Sequence, residues 1–284
     1  MIQILSIQSA VAYGFAGNSA AVFPLRRAGI DVWPVLTVNY SNHTGYGSWR
    51  GINIPAEQVR EVVLGIDDRG VFADLDAVLS GYQGTPDMAQ VIVDSVKLVK
   101  ERSPRAIYCC DPVMGDVGRD FYAMPGIPEF MRDVVTPVAD VMTPNLFELE
   151  FLTGTSTHTI AEVIDAAQKL RAMGPETVLV TSVVGQDDES DVMRMIALDS
   201  TAIWQVETPY LNRIFTGSGD VTTAMFLAHL LGSGDLEEAL SATASIVFSI
   251  LDKTLELGRS ELALVQAQDD IVNPSHTFKA IQIG

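Results

Sequence analysis

The sequence predicts an α/β fold: one mostly parallel central sheet with helices on both faces, in a single domain over residues 1–284. Three observations lead there. Short apolar runs rich in β-branched residues alternate with longer segments of helical period. The runs are close to continuously apolar, as expected of strands buried on both faces of a parallel sheet. The chain is 48% hydrophobic and 19% charged, enough for a substantial core and wrong for a disordered or fibrous protein.

The predicted strands are, in order, Ile2–Ile7, Val32–Val38, Ala77–Leu79, Ala106–Cys110, Val141–Thr143 and Thr177–Val184. A helix is predicted over Thr85–Arg102, with Met88, Val91, Ile92, Val96 and Val99 on one face. A second is predicted over Thr159–Met173, where Thr159 and Glu162 have the spacing of a capping box. Asp191–Leu198 and Thr201–Val206 read as a hairpin, and helices are expected from about Gly219 to Asp270. No linker, internal repeat or low-complexity tract divides the chain.

The charge pattern excludes some functions. Lys and Arg number 18 against 36 Asp and Glu, a formal charge of −18, with no basic run. Nucleic acid and anionic membrane surfaces are therefore poor partners, and an anionic ligand must be met by local devices such as helix N-termini or a cation. Cys109 and Cys110 are adjacent in an apolar strand, so their side chains point to opposite faces and are expected to be buried thiols. The start MIQILSIQSA lacks the features of a secretory signal, and the apolar stretch Ala239–Leu251 is too short for a membrane span. A soluble, cytoplasmic protein is the expectation.

Open α/β sheets bind ligands beyond the carboxyl ends of their strands, so the residues placed there carry the chemistry. No Walker loop, dinucleotide fingerprint or serine-hydrolase elbow is present. The segment Thr216-Gly217-Ser218-Gly219-Asp220 precedes a run of small neutral residues. Its glycines allow close backbone approach, the following helix aims N–H groups at an anion, and Asp220 is a candidate general base. A helix-capping aspartate is the plainer alternative. Gly-Ser-Gly-Asp recurs at Gly232–Asp235, where Glu237 and Glu238 would repel a phosphate; that copy reads as a C-cap glycine followed by an N-cap.

Asp111 and Asp116, on a tight loop after the fourth strand, can hold a cation directly or through water; a turn-forming Asp-Pro is the plainer alternative, which explains Asp111 better than Asp116. Asn145 and Glu148, three apart at a helix start, can face one cation or form a capping box. Tyr40-Ser41-Asn42-His43-Thr44-Gly45-Tyr46-Gly47 suits a flat heteroaromatic ligand, or an ordinary surface loop. His158, His229 and His276 have no metal-ligand spacing.

Taken jointly, Ile7-Gln8-Ser9, Gly14, Gly17–Ala21, Tyr40–Thr44, Ser80-Gly81-Tyr82, Asp111–Gly115, Thr143–Glu150 and Gly217–Asp220 resemble the pyridoxal kinase family of the ribokinase-like superfamily, along nearly the whole chain. The resemblance implies ATP-dependent phosphorylation of the 5′-hydroxymethyl group of pyridoxal. By position, it implies that Ser9, Thr44, Gly45 and Tyr82 contact the pyridine substrate, and that Asp220 is the base beside Gly217, Ser218 and Gly219. It places Asp111, Thr143 and Glu148 around ATP phosphates and cations, with Asp116 a further metal-side candidate. Thr181 and Thr208-Pro209-Tyr210-Leu211 would border the nucleotide. Mg²⁺, a monovalent cation and a homodimer are implied in the same way. Thr181, Thr208 and Gly45 stand where relatives often carry Lys, Arg and Gln. The competing readings are a hydroxymethylpyrimidine kinase, which shares Asp-Pro-Val-Met and Thr-Pro-Asn, and a non-catalytic vitamin B6-binding protein.

Overall fold

The computed structural model describes residues 1–184 and 191–284. In chain order the strands are β1 (Gln3–Val11), β2 (Asp31–Tyr40), β3 (Gly51–Asn53), β4 (Ala77–Ser80), β5 (Ile107–Cys110), β6 (Gly115–Asp116), β7 (Asp120–Phe121), β8 (Val141–Met142), β9 (Thr177–Val183), β10 (Val192–Leu198), β11 (Ile203–Pro209) and β12 (Ile281–Gln282). The α-helices are α1 (Asn18–Arg27), α2 (Ala56–Asp67), α3 (Pro86–Arg102), α4 (Ile127–Phe130), α5 (Leu146–Thr153), α6 (Ile160–Met173), α7 (Ser218–Ser233) and α8 (Leu236–Glu256).

Ten of these strands form one sheet in the order β12-β11-β10-β9-β8-β5-β4-β1-β2-β3. The six from β9 to β2 pair in parallel, and antiparallel strands close both edges. Strand alternation builds the two cores. Leu5, Val78, Cys110, Met142 and Val178 face one side, where α2, α3, α5 and α6 pack. Ile4, Leu79, Cys109, Val141 and Leu179 face the other, under α1, α7 and α8. The two cysteines are therefore buried thiols on opposite faces, as their adjacency requires.

β1 lies between β2 and β4, so the chain leaves it in opposite directions along the sheet. The carboxyl end of β1 is thus a topological switch point, where α/β sheets open a crevice. The structure shows how it is held open. β1 runs past its predicted end to Val11, and its pairing with β2 shifts register between Gln8 and Ala10. The buried Asn18 side chain fills the gap, donating to the carbonyls of Gln8 and Val35 at 3.2 and 3.0 Å and accepting from Ser6 Oγ at 2.7 Å. Ser9 is consequently inside an irregular strand end rather than after it.

Both predicted helices appear with their N-caps at Thr85 and Thr159, and the Thr159–Glu162 capping box is formed. The expectation of helix as far as Asp270 fails. α8 stops at Glu256, because Gly258 takes the left-handed conformation at φ 60°, and the chain continues as turns. No helix among the described residues is long and apolar enough to cross a membrane.

Candidate active site

Beyond the carboxyl ends of the parallel strands lie two adjoining clefts, about 550 and 840 Å³ in volume. Ser9, Thr44, Gly45, Tyr82, Asp111, Thr143, Glu148, Gly217, Gly219 and Asp220 line the first. Thr208, Pro209, Tyr210 and Leu211 line the second, while Asp116, Thr181 and Ser218 border both. The sheet and α7 thus gather residues spread over two hundred positions. The arrangement follows from topology: each parallel strand delivers its next residue to the same edge.

The end of α7 is built for close approach. Gly217 is its N-cap at φ 86°, and a Cβ there would sit 2.2 Å from the Phe15 carbonyl oxygen, so only glycine fits. Among the described residues no side chain caps this helix, which leaves first-turn N–H groups and the positive end of the helix dipole facing the cleft. Asp220 lies in the first turn and is not the cap; the Gly17 N–H donates to its carboxylate instead. The second Gly-Ser-Gly-Asp is different. Gly234 ends α7 in the left-handed conformation, and Asp235 caps α8 by accepting from the Glu238 N–H at 2.9 Å. The plain capping reading holds for Asp235 and fails for Asp220.

Three carboxylates share the floor. Asp111, nearly buried at the end of β5, accepts from Thr223 Oγ1 at 3.3 Å, and Thr143 Oγ1 lies 2.7 Å from that threonine oxygen. Burial, then the negative charges of Glu148 and Asp220, hold its carboxyl well above the usual range. Burial lifts Glu148 to about 7 and Asp220 to about 6, against the backbone N–H groups that favour their charged forms. Glu148 and Asn145 do form a capping box on α5. Glu148 Oε1 also accepts from the Met114 N–H at 2.8 Å, and Asn145 Nδ2 donates to the Gly115 carbonyl at 2.9 Å, so the cap pins the loop after β5. Asp116 Oδ1 takes the Val117 N–H at 2.8 Å. Among the described residues no three His, Cys, Asp or Glu side chains stand close enough to hold a metal ion by themselves.

The wall that carries residues 43–45 has an anchor that the sequence does not reveal. Glu261, 6% exposed, accepts from Tyr46 Oη at 2.5 Å and the Phe15 N–H at 3.1 Å, with His43 Nε2 at 3.8 Å. It thereby joins two loops that frame the cleft. Its hydrogen bond and charge push the Tyr46 phenol up to about 12, and burial pulls the His43 imidazole down. Glu261→Ala is expected to lower stability by about 2–3 kcal/mol, because it orphans the half-buried Phe15 N–H and removes charge-assisted bonds. Hydrogen exchange should quicken in 12–17 and 43–47 together. Protection unchanged in both loops would remove Glu261 as their anchor.

Tyr122, just after β7, also lines the first cleft and has no mark in the sequence. Burial and the charges of Glu148, Asp111, Asp116 and Asp220 raise its pKa, so its hydroxyl stays protonated and can donate.

Comparison with known proteins places these features in a family. Residues 55–264 match a family model described as phosphomethylpyrimidine kinase. The chain is 51% identical over 283 residues to a pyridoxal kinase of Leifsonia xyli, covering all of both chains. It is 52% identical over 284 residues to one of Rubrobacter xylanophilus, covering 100% of this chain and 98% of that protein. In structure it matches the pyridoxal kinase of Leishmania donovani in complex with ADP and ginkgotoxin, with TM-score 0.93, 31% identity and complete coverage of both chains. The same kinase has also been solved with ADP and pyridoxamine, again at TM-score 0.93. The ribokinase-like α/β architecture expected of the sequence is shown by these matches.

Proposed function

The chain belongs to the pyridoxal kinase family, and on that premise we propose that its first cleft transfers the γ-phosphoryl group of ATP to the 5′-hydroxyl of pyridoxal. One observation carries the reading: Asp220 and an uncapped helix N-terminus meet Ser9, Thr44 and Tyr82 in one cleft that opens into a second.

The pyridine ring sits against Ser9, Thr44, Gly45 and Tyr82, with its hydroxymethyl arm toward Asp220. Asp220 accepts the hydroxyl proton as that oxygen bonds to the γ-phosphorus. The bond from the γ-phosphorus to the β,γ-bridging oxygen breaks, and ADP leaves. The N–H groups of Gly217–Gly219 receive the charge on the transferring group. Thr181 and Thr208–Leu211 border the nucleotide in the second cleft.

The carboxylates fit a divalent cation. The charges of Glu148 and Asp220 bear on Asp111, and that of Asp116 on Glu148, and a cation beside a polyphosphate would relieve that repulsion. Asp111 and Glu148 would hold it, mostly through water because Glu148 is already bonded to backbone, with Asp116 at the flank. When bound it would neutralise phosphate charge.

A hydroxymethylpyrimidine acceptor is the second reading, favoured by the family model over 55–264. That range omits Ser9 and Tyr40–Gly47, the part of the wall that surrounds the acceptor ring. The test uses MgATP with pyridoxal, pyridoxine, pyridoxamine or hydroxymethylpyrimidine, and identifies each product. Pyridoxal is expected to give pyridoxal 5′-phosphate with a higher kcat/KM than the pyrimidine. A preference for the pyrimidine overturns the assignment, and no product from any acceptor supports a binding protein.

A further inference from the structure

Both clefts are poor in positive charge. Arg119 is the one Lys or Arg among the described residues lining the first, which also presents Asp111, Asp116, Glu148 and Asp220. The second cleft has Arg119 and Arg213. Arg213 is engaged: its guanidinium donates to the Arg259 carbonyl and lies 5.4 Å from the centre of the Phe215 ring. A triphosphate entering this acidic region therefore meets Arg119 as the available side-chain cation.

The position of Arg119 is built rather than incidental. It sits in the turn of the β6–β7 hairpin, where its N–H donates to the Asp116 carbonyl at 3.0 Å. The hairpin base is fixed. Phe121 makes edge contacts with Phe147 and Phe151 on α5 at 4.9 and 5.0 Å, and Tyr122 and Ala123 donate to the Met114 carbonyl. Gly118, at φ 74°, has open space around it, and Asp120 takes φ 54°, an uncommon conformation for a residue with a side chain. A rigid base thus carries an exposed arginine on the border of the two clefts. Its charge is felt across the opening, where it opposes protonation of His43 in the facing loop.

We propose that Arg119 binds the triphosphate chain of the nucleotide where it passes from the second cleft into the first. This rests on the kinase reading above and adds the residue that supplies positive charge to the phosphates. A guanidinium presents a planar fork of donors suited to phosphate oxygens, and on the hairpin it can close over the nucleotide without occupying the acceptor pocket.

The experiment measures equilibrium binding of ATP, ADP and adenosine, with Mg²⁺ and at fixed ionic strength. The proteins are the wild type, Arg119→Ala, Arg119→Lys and Arg69→Ala. Arg69 lies outside both clefts and controls for the loss of one positive charge from an acidic protein. Arg119→Ala is expected to weaken ATP by about 10- to 100-fold, the range for losing a charge-assisted contact, while adenosine affinity holds. Arg119→Lys should recover part of the loss, and Arg69→Ala should bind as wild type does. Unchanged ATP affinity in Arg119→Ala, or an equal loss for adenosine, overturns the proposal. A wild type that binds no ATP overturns the kinase reading and this inference with it. A wild type that binds ATP but leaves pyridoxal unphosphorylated overturns only the acceptor, because the binding comparison still decides the role of Arg119.

Discussion

Asp220→Asn is expected to lower turnover by roughly 10²–10⁴, the span for loss of a general base, with MgATP and pyridoxal affinities little changed. The substitution keeps the shape of the side chain and does not remove a helix cap, since Gly217 holds that position. Asp235→Asn in the duplicate Gly-Ser-Gly-Asp is the matched control. Asn caps a helix about as well as Asp, so rate and stability should both hold. The pH profile gives the sign independently. Burial raises Asp220 to about 6, and only its deprotonated form can accept the hydroxyl proton. Therefore kcat/KM should fall as pH drops below about 6 and stay level above it until another group titrates. Wild-type turnover in Asp220→Asn removes it from the mechanism.

Chelation of divalent cations is expected to reduce turnover to the background rate. In the proposed arrangement ATP brings its charge beside Asp111, Glu148 and Asp220, whose carboxyls are already raised by burial and, for Asp111, by its neighbours' charges. Without a cation, the phosphates add repulsion at the point where negative charge must be stabilised. Asp111→Asn should raise the Mg²⁺ concentration needed for half-maximal rate, and full turnover after rigorous chelation would contradict the cation's place. The same groups set a stability trend. Glu148 titrates at about 7 in the folded chain against 4.5 for the free side chain, so folding takes up protons in that interval. Its contribution is full below about 4.5 and lost as pH rises through about 7. The ligand-free protein should therefore melt lower at pH 8 than at pH 6. Mg²⁺ with nucleotide should narrow the gap. Equal melting temperatures at the two pH values, in protein free of ligand and cation, would contradict the raised carboxyl.

The parts of the fold legible in sequence are those decided by burial. The six parallel strands announce themselves because both faces are covered, so apolar residues run nearly without interruption. β3, β7 and β12 are exposed, two or three residues long, and offer no such pattern. The end of α8 was misjudged because the following residues, including Leu262 and Leu264, are buried in turns rather than in a helix. In the cleft, local context separated Asp220 from Asp235, because flanking glutamates can be read directly. Glu261 could not be found that way. Its partners Phe15 and Tyr46 lie 246 and 215 positions away, and nothing in its neighbourhood marks it as more than a surface carboxylate. Arg119 carries a compositional signal only in retrospect: it is the one cation in a segment placed over an acidic cleft.

Rapid-quench transfer of the γ-phosphoryl group, with enzyme in excess over γ-labelled ATP and with saturating pyridoxal, tests the central claim most directly. The wild type is expected to place the label on the 5′-oxygen of pyridoxal in a single exponential phase. Asp220→Asn should form the same product roughly 10²–10⁴ more slowly from an equally occupied complex. Label released only as inorganic phosphate, or equal transfer rates in the two proteins, would contradict the account.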